Sequence, residues 1–183
     1  MLLRLLKELE GENVVVIDDG STYDPTEHLD YCEYHRVSHK GKKGFWVNWN
    51  MMLEIAKESN DTEFIFLPDD IHSIELDRLR SDYTNGALNV LHVGPDRGWT
   101  PKGYVDCAFI CDRSVLEALK WKIDPVPIQR FNNPNISSGV GQNLSFRMWM
   151  EGIPMYLKGN YAQHGDHESK MHKEERLKNP LVC

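Results

Sequence analysis

The sequence predicts an α/β fold with a largely parallel central sheet. Short apolar strands alternate with amphipathic helices along the chain, which is the pattern of strand–helix–strand units. Two of the predicted strands, residues 14–17 and 63–67, are mostly β-branched or aromatic and lead directly into acidic pairs. Such apolar runs are typical of strands buried on both faces. The 183 residues, 40% of them hydrophobic, predict one globular domain over residues 1–183 with a substantial core.

The first predicted helix contains the amino-terminal leucines, which recur at helical spacing until Gly11 ends the pattern. The later predicted elements are, in chain order, strand 14–17, a short strand 34–38, helix 45–57, strand 63–67, a mostly helical segment 70–83, strands 87–93 and 105–111, helix 113–120, helix 141–150 and strand 153–157. Residues 124–138 contain three prolines and predict a long loop. Long loops in compact domains often have a functional role.

The composition argues against several classes of protein. The formal net charge is −7, which argues against a large non-specific nucleic-acid surface, although a local basic patch could still bind one. The cysteines Cys32, Cys107, Cys111 and Cys183 do not form the two pairs of a zinc site, so we expect reduced thiols. No apolar run reaches 18 residues, and residues 1–9 are too few and too charged for a signal peptide. We therefore expect a cytoplasmic protein without a membrane segment.

The first candidate site follows the first strand, where Asp18 and Asp19 begin the sequence DDGS. Open α/β sheets bind ligands at the carboxyl ends of their strands, and a carboxylate there can accept hydrogen bonds from a base or a ribose. The alternative is a simple turn, because Asp-Gly-Ser is common in turns. The apolar strand before these residues favours the binding site.

Asp69 and Asp70 are the second candidates. Two adjacent carboxylates at the end of a buried strand repel each other, and a divalent cation held between protein and phosphate would compensate. Asp70 and His72 are two residues apart and could bind the same metal if the strand continued. The alternative is that one carboxylate caps the next helix. Because only one of them can do so, the other stays unexplained.

The third candidate is the histidine-rich segment HGDHESKMH, residues 164–172. Its imidazoles and carboxylates could supply a further metal ligand, and Lys170 could pair with a phosphate. His164 is the best ligand because it follows a predicted strand and precedes a glycine. The alternative is a solvated tail, which we favour for His172.

A basic loop, KGKKG at residues 40–44, precedes the second predicted helix. Lys43 in this loop could contact the phosphates of a ligand. The loop lacks the phosphate-binding spacing GxxxxGK[ST], however, and residues 139–143 likewise lack the dinucleotide pattern GxGxxG. A solvated surface loop is therefore the alternative to a phosphate contact by Lys43.

Four segments, in this order, together resemble glycosyltransferases of the GT-A fold, in particular family 2 and the polypeptide N-acetylgalactosaminyltransferase-like branch. Residues 14–21, VVVIDDGS, resemble the first nucleotide-binding strand of that family, VVDDGS. Residues 67–70, LPDD, lie where the family has its DxD or DxH metal motif. Residues 141–152, GQNLSFRMWMEG, resemble the family's helix motif GGEN…LSFRxWxxGG. His164, a dozen residues later, matches the family's histidine metal ligand, so the resemblance covers nearly the whole chain.

The resemblance implies a GT-A fold, a Rossmann-like nucleotide-diphospho-sugar transferase sandwich. The implied reaction is metal-dependent transfer of a sugar from a nucleoside-diphosphate-sugar, expected to be a UDP-sugar, to an acceptor hydroxyl. Asp69 would touch the ribose or the sugar, and Mn²⁺ or Mg²⁺ would bridge the diphosphate. The implied nucleotide-sugar-binding residues are Asp18, Asp19, Gly20, Ser21 and Asp69; the metal ligands are Asp70 and His164, with His72 as a further candidate; and the catalytic positions are Asp69, Asp70, Gln142 and Asn143.

Three departures from the family pattern affect these expectations. Pro68 replaces the first acid of the metal motif, so Asp70, or Asp70 with His72, must supply the ligand. Gln142 stands where the family usually has a carboxylate, and an amide cannot act as a general base. The reaction is then retaining, or another acid such as Asp106 or Asp166 serves as base. The chain also opens at the first helix, so we expect a minimal fold without the usual first strand.

The acceptor could be a glycan, a protein or a hydroxylated DNA base. The small size is typical of bacteriophage and bacterial versions of the family, and a viral protein would act in the host cytoplasm. A DNA acceptor would require a basic groove, for which the candidates are Lys40, Lys42, Lys43, Arg97, Lys102 and Arg130. A nucleotidyltransferase and a catalytically degenerate nucleotide-sugar-binding module are the alternative functions.

Overall fold

The computed structural model describes residues 2–18, 20, 26–37, 44–69, 71–93, 108–123 and 139–164. At residues 28, 44–46, 92–93, 139–143, 146, 160 and 164 the description is of the backbone alone. The helices are α1 (Leu2–Glu8), α2 (Gly44–Glu58), α3 (Leu76–Asp82), α4 (Arg113–Ala118) and α5 (Gly139–Met150), and a 3-10 turn covers Thr26–His28. The strands are β1 (Val14–Asp18), β2 (Cys32–Arg36), β3 (Glu63–Phe66), β4 (Ile71–His72), β5 (Leu88–Val93), β6 (Phe109–Asp112) and β7 (Met155–His164).

The chain has the α/β character that the sequence predicts, but the expectation of a largely parallel central sheet is wrong. The main sheet has the order β3-β6-β5-β7-β4, and only the β5–β7 pair in it is parallel. The described strands β1 and β2 form a separate parallel pair. An apolar run shows that a strand is buried, but it does not encode the direction of the strand beside it. Direction depends on contacts between residues far apart in the sequence.

Two element predictions need correction. The segment 70–83 is helical only in its second part, because its described part begins with β4 and becomes helical at Leu76. Ile71 is buried and pairs with β7, and Ser73 has a left-handed backbone with φ 56°. The strand predicted at 153–157 extends instead from Met155 to His164, because it pairs first with β5 and then with β4.

The other element predictions agree with the structure within a few residues wherever the structure describes them. The loop predicted at 124–138 and the start of the strand predicted at 105–111 lie outside the described residues. Among the described helices, none has the length and apolarity needed to cross a membrane.

The main core lies between the sheet and helices α2, α4 and α5. The Trp49 ring of α2 stacks on Phe66 of β3, with ring centroids 5.7 Å apart, and on Phe109 of β6 at 5.5 Å. Leu144 and Met148 of α5 are buried in the same cluster. A smaller cluster around Leu6, Val16 and Leu29 packs α1 against the β1–β2 pair. Burial of these apolar side chains supplies most of the driving force for folding.

Candidate functional site

The first strands of the two sheets begin side by side. Asn13, just before β1, donates a hydrogen bond from Nδ2 to Oδ2 of Asp61, just before β3, at 3.2 Å. Arg80 of α3 binds Glu12 before β1 at 2.7 and 2.8 Å, and Glu63 at the start of β3 at 2.7 Å. Polar contacts therefore join the starting ends of β1 and β3.

Helix α2 indicates where the carboxyl ends of β1 and β3 lie. It connects β2, which is parallel to β1, to β3 of the main sheet. The Trp49 ring near the start of α2 stacks on Phe66, the last residue of β3. At the end of β2, Arg36 lies opposite Asp18. The next described helix is α2, and its Trp49 packs on the end of β3. We infer that Asp18 and Asp69 lie at the same edge.

Asp18 is the best-defined acidic residue of this edge. Its side chain is only 7% exposed and belongs to the last residue of β1. The Tyr34 hydroxyl donates to Asp18 Oδ2 at 2.6 Å, and the Arg36 Nε lies 3.7 Å from the same oxygen. A buried carboxylate needs such partners, because burial without them disfavours its charged form. The carboxylate is thus held in a defined orientation by β2.

Gly20 lies two residues after the end of β1. Gly20 has φ 75°, a left-handed conformation that glycine adopts without the steric cost of a Cβ. Asp19, Ser21 and Lys43, all predicted to bind the nucleotide-sugar, lie outside the described residues. Gly20 is therefore a position close to Asp18 in the chain whose backbone favours glycine.

Asp69 follows β3 at the same edge and is exposed. Asp70, the predicted metal ligand beside it, lies outside the described residues. The chain continues into β4, where Ile71 is opposite His164 of β7 and His72 is opposite Gln163. The two segments that the sequence analysis linked to a metal, 69–72 and 164, are therefore neighbours in the sheet although more than ninety residues separate them.

The β4–β7 register places position 72 and position 164 on opposite faces of the sheet. Directly opposed residues in an antiparallel pair lie on the same face of the sheet, and successive residues alternate. His72 thus shares a face with Gln163, whereas position 164 shares the face of Ile71. Within a regular ladder, positions 72 and 164 therefore lie on opposite faces of the sheet. The side chain of His164 itself lies outside the description.

His72 has the environment of a histidine that could bind a metal. Its Nδ1 and the Ser73 hydroxyl are 3.0 Å apart, so one ring nitrogen is oriented by a hydrogen bond. Metal-binding histidines usually have such a partner on the nitrogen that does not bind the metal. Among the described residues, however, no group of three or more possible metal ligands is close enough to form a complete site.

Helix α1 holds the backbone that follows β4. Arg4 donates to the Ser73 hydroxyl at 3.3 Å, and Oε2 of Glu8 accepts a hydrogen bond from the Ile74 amide at 3.0 Å. These contacts stabilise the left-handed backbone of Ser73. Non-glycine residues persist in this conformation only where their surroundings enforce it, and such residues cluster at functional sites.

Helix α5 includes the segment that resembles the family's helix motif. Gln142 and Asn143 lie on this helix, but their side chains are outside the described part. Arg147 of the same motif donates to the carbonyls of Lys122 at 2.9 Å and Leu119 at 3.3 Å. Its role is therefore to cap the end of α4, and Leu144 and Met148 anchor the helix in the core. Lys170 lies beyond the described residues.

Comparison of this chain with protein-family models, with curated proteins and with solved structures gives no match in any of the three. The case for a function therefore depends on the residues themselves.

The sequence analysis missed Tyr34 and Arg36, the partners of Asp18. Their alternation in a predicted short strand put both on one face, but only the register of β2 against β1 brings them to Asp18. It also missed Asn48 of α2, a buried polar residue in an otherwise apolar helix face. A polar residue next to a core tryptophan was the available signal.

Proposed function

We propose that this chain binds a nucleoside-diphosphate-sugar together with a divalent cation and transfers the sugar to an acceptor hydroxyl, as a minimal GT-A glycosyltransferase. The observation that carries the proposal is the β4–β7 pairing, and the inferred common edge of Asp18 and Asp69 supports it. Asp18 is buried and oriented at the end of β1, Asp69 follows β3, and the β4–β7 pairing brings position 164 beside residues 71 and 72. Ligands of open α/β sheets bind at such strand ends.

The proposed contribution of Asp18 is to accept a hydrogen bond from the uracil or the ribose. Tyr34 and Arg36 engage one of its oxygens and hold the carboxylate in place. Preorganised acceptors of this kind bind a ligand without the cost of ordering a side chain. Asp19, Gly20 and Ser21 continue this subsite in the proposal, and Lys43 and Lys170 are the candidates to pair with the phosphates.

Asp70 and one histidine would hold the cation, which we propose to be Mn²⁺ or Mg²⁺. The bound ion would neutralise the negative charge that develops on the departing nucleoside diphosphate. Asp69 would orient the ribose or the sugar. Gln142 and Asn143 would contact the reacting groups by hydrogen bonding, because neither amide can remove a proton.

The acceptor class is left open between a glycan, a protein and a hydroxylated DNA base. The net charge of −7 gives no general electrostatic attraction to DNA, so a DNA acceptor would depend on a local basic groove. The experiment below distinguishes the main proposal from its two alternatives, a catalytically degenerate nucleotide-sugar-binding module and a nucleotidyltransferase.

The test is a thermal-shift panel of nucleoside-diphosphate-sugars with and without Mn²⁺. A ligand that binds only the folded protein stabilises it, by about 2.7 kcal/mol at a hundred times its Kd. We expect UDP-sugars with Mn²⁺ to raise the melting temperature, and no shift with any donor would contradict the proposal. Release of UDP from a UDP-sugar would indicate glycosyl transfer or hydrolysis. Release of pyrophosphate from a nucleoside triphosphate would indicate a nucleotidyltransferase, and binding without turnover a module.

The metal assignment leads to a specific mutational prediction. We expect Asp70→Ala to abolish the Mn²⁺-dependent part of donor binding, with Asp77→Ala on the exposed face of α3 as the matched control. Because the register places His72 and position 164 on different faces, only one of His72→Ala and His164→Ala should weaken binding of Mn²⁺. The measurement is calorimetric titration with Mn²⁺ and with UDP. Unchanged metal binding in Asp70→Ala would refute the assignment.

A further inference from the structure

Asn48 is an exception to the rule that buried polar groups are hydrogen-bonded. The residue is only 8% exposed, and within the described part of the chain its Oδ1 is the buried side-chain polar atom without a hydrogen-bond partner. An unsatisfied buried oxygen costs about 1–3 kcal/mol of stability. A cost of this size calls for an explanation in a native protein.

The position of Asn48 connects it to the candidate site. It lies in the second turn of α2, directly before Trp49, whose ring stacks on the last residue of β3 at 5.7 Å. Consecutive Cα atoms are about 3.8 Å apart. Asn48 therefore directly precedes the residue that packs on the end of β3, the end where Asp69 follows that strand and which we infer to share an edge with Asp18.

Asn50, two residues along the same helix, is an asparagine whose side-chain amide is hydrogen-bonded at both its nitrogen and its oxygen. Its Nδ2 donates to the Ile123 carbonyl at 3.1 Å, and its Oδ1 accepts from the Ile123 amide at 3.0 Å. Asn50 thus joins α2 to the segment after α4 through both halves of its amide. Asn48 has no such structural role among the described residues.

The chemistry of the atom restricts its partner. In a hydrogen bond, an amide oxygen acts only as an acceptor, and the ionised oxygens of a diphosphate are also acceptors only. A diphosphate oxygen or a carboxylate is therefore excluded as the hydrogen-bond partner of Asn48 Oδ1. The hydroxyls of a ribose or a sugar and the N–H groups of a base are the parts of a nucleotide-sugar that can donate to it.

We propose that Asn48 Oδ1 is a ligand-binding acceptor that takes a hydrogen bond from a hydroxyl or N–H group of the nucleotide-sugar. This inference rests on the proposed function. In the free protein the oxygen destabilises the fold, and the bound ligand relieves this cost. Asn48 is thus a specificity residue, since a ligand without the matching donor leaves the oxygen unpaired.

The first measurement is the stability of the ligand-free protein, compared between Asn48→Leu and the matched control Asn50→Leu. Leucine replaces the orphaned amide by an apolar group of similar size, so Asn48→Leu should melt at the same temperature as the unaltered chain or higher. Asn50→Leu should melt lower, because it removes two hydrogen bonds. A clear loss of stability in both Asn48→Leu and Asn48→Ala would overturn the proposal, because the amide would then have a structural role.

The second measurement is the affinity for UDP-glucose, UDP and pyrophosphate, each titrated calorimetrically in the presence of Mn²⁺. We expect Asn48→Leu to weaken binding of UDP-glucose about tenfold and to leave pyrophosphate binding unchanged. An equal loss for UDP identifies a donor on the nucleoside, whereas a loss for UDP-glucose alone identifies a sugar hydroxyl.

The result that would overturn the proposal is UDP-glucose affinity within twofold of the unaltered chain. An equal loss for pyrophosphate would also overturn it, because the site as a whole would then be disturbed. If the unaltered chain bound none of the three probes, the proposed function would fail, and this outcome is distinguishable from an effect of Asn48 alone.

Discussion

At the scale of single residues, the asparagines show how differently one side chain is used. Asn89 of β5 is fully buried, and both the oxygen and the nitrogen of its side-chain amide form hydrogen bonds. Oδ1 accepts from the Thr84 amide at 2.9 Å, and Nδ2 donates to the carbonyls of Thr84 at 3.0 Å and Ala87 at 3.1 Å. Asn89 therefore ties the turn before β5 to its own strand, whereas Asn48 keeps an unpaired oxygen near the candidate site.

Asn89 provides the prediction at this scale. Asn89→Leu removes the amide and leaves the Thr84 and Ala87 backbone groups without their partner. We expect the free energy of unfolding to fall by about 2–3 kcal/mol, measured by urea denaturation. Asn13→Ala, which removes one exposed hydrogen bond to Asp61, serves as control and should cost less than 1 kcal/mol or so. Equal losses in the two variants would contradict this account of Asn89.

The cysteines also show the effect of residue environment. Cys111 is fully buried in the core, and burial strongly raises the pKa of its thiol. Cys32 is half-buried, and burial raises the pKa of its thiol as well. Because the thiolate is the reactive form, both described cysteines are poor nucleophiles. This agrees with the expectation of reduced thiols without a catalytic role.

At the scale of elements, a single arginine closes the end of the longest described helix. Arg113, the first residue of α4, donates to the carbonyls of Ala56 at 3.2 Å, Ser59 at 2.6 Å and Asp61 at 2.9 Å. Its guanidinium also lies 5.0 Å from the ring centroid of Trp121. The last carbonyls of a helix have no partners within the helix, and this side chain satisfies them from another element. Helix α2, which presents Asn48, is thereby fixed to α4.

Arg113→Lys tests this cap. Lysine keeps the charge but cannot present several donors in one plane or stack in the same way on Trp121. We expect a loss of about 1–3 kcal/mol in the free energy of unfolding, followed by chemical denaturation. Arg78→Lys, at a side chain that is 63% exposed, is the control and should change stability by less than about 0.5 kcal/mol. If the Arg113→Lys variant were as stable as the unaltered chain, water would satisfy these carbonyls instead.

Element positions were predictable where the signal was local. The helical spacing of apolar residues identified α2 within one residue of its observed ends, and the apolar runs identified β1 and β3. Strand β4 could not be found in this way. It has only two residues, and it exists because Ile71 pairs with a strand that the chain reaches about ninety residues later.

At the scale of the whole molecule, polar contacts hold the β1–β2 pair to the main sheet. Arg80 binds both Glu12 and Glu63, and Asn13 binds Asp61. The hydrogen bond from Arg80 lowers the pKa of Glu12 from its ordinary value of 4.5, against the opposing effect of burial. Burial alone would raise the pKa of Asp112, but its hydrogen bonds, with Ser114 first among them, lower it overall from 3.8.

These shifts predict loss of stability in acid. A carboxylate whose pKa is lower in the folded state contributes stability that is complete above its unfolded value and is lost as the pH falls through its folded value. The contributions of Glu12 and Asp112 should therefore be intact at neutral pH, begin to decline below about pH 4.5 and pH 3.8 respectively, and be lost at still lower pH.

Arg80→Met tests the contribution of the ion pairs that Arg80 makes with Glu12 and Glu63. At pH 7 the variant should lose no more than about 1 kcal/mol, because the ion pair is partly exposed. Between pH 5 and pH 3 its free energy of unfolding should fall less steeply with decreasing pH than that of the unaltered chain. The measurement is urea denaturation across this range. Parallel pH profiles for the two proteins would show that Glu12 gains nothing from Arg80.

The sequence by itself determined the α/β class, the main helices and strands, and the acidic groups that follow β1 and β3. These features depend on local patterns, since helical and strand periodicities involve residues a few positions apart. Only the tertiary structure decided that the main sheet is largely antiparallel, that Tyr34 and Arg36 hold Asp18, and that His72 and position 164 lie on different faces. These results depend on strand direction and register, which are set by pairings between distant residues and leave no local trace in the chain.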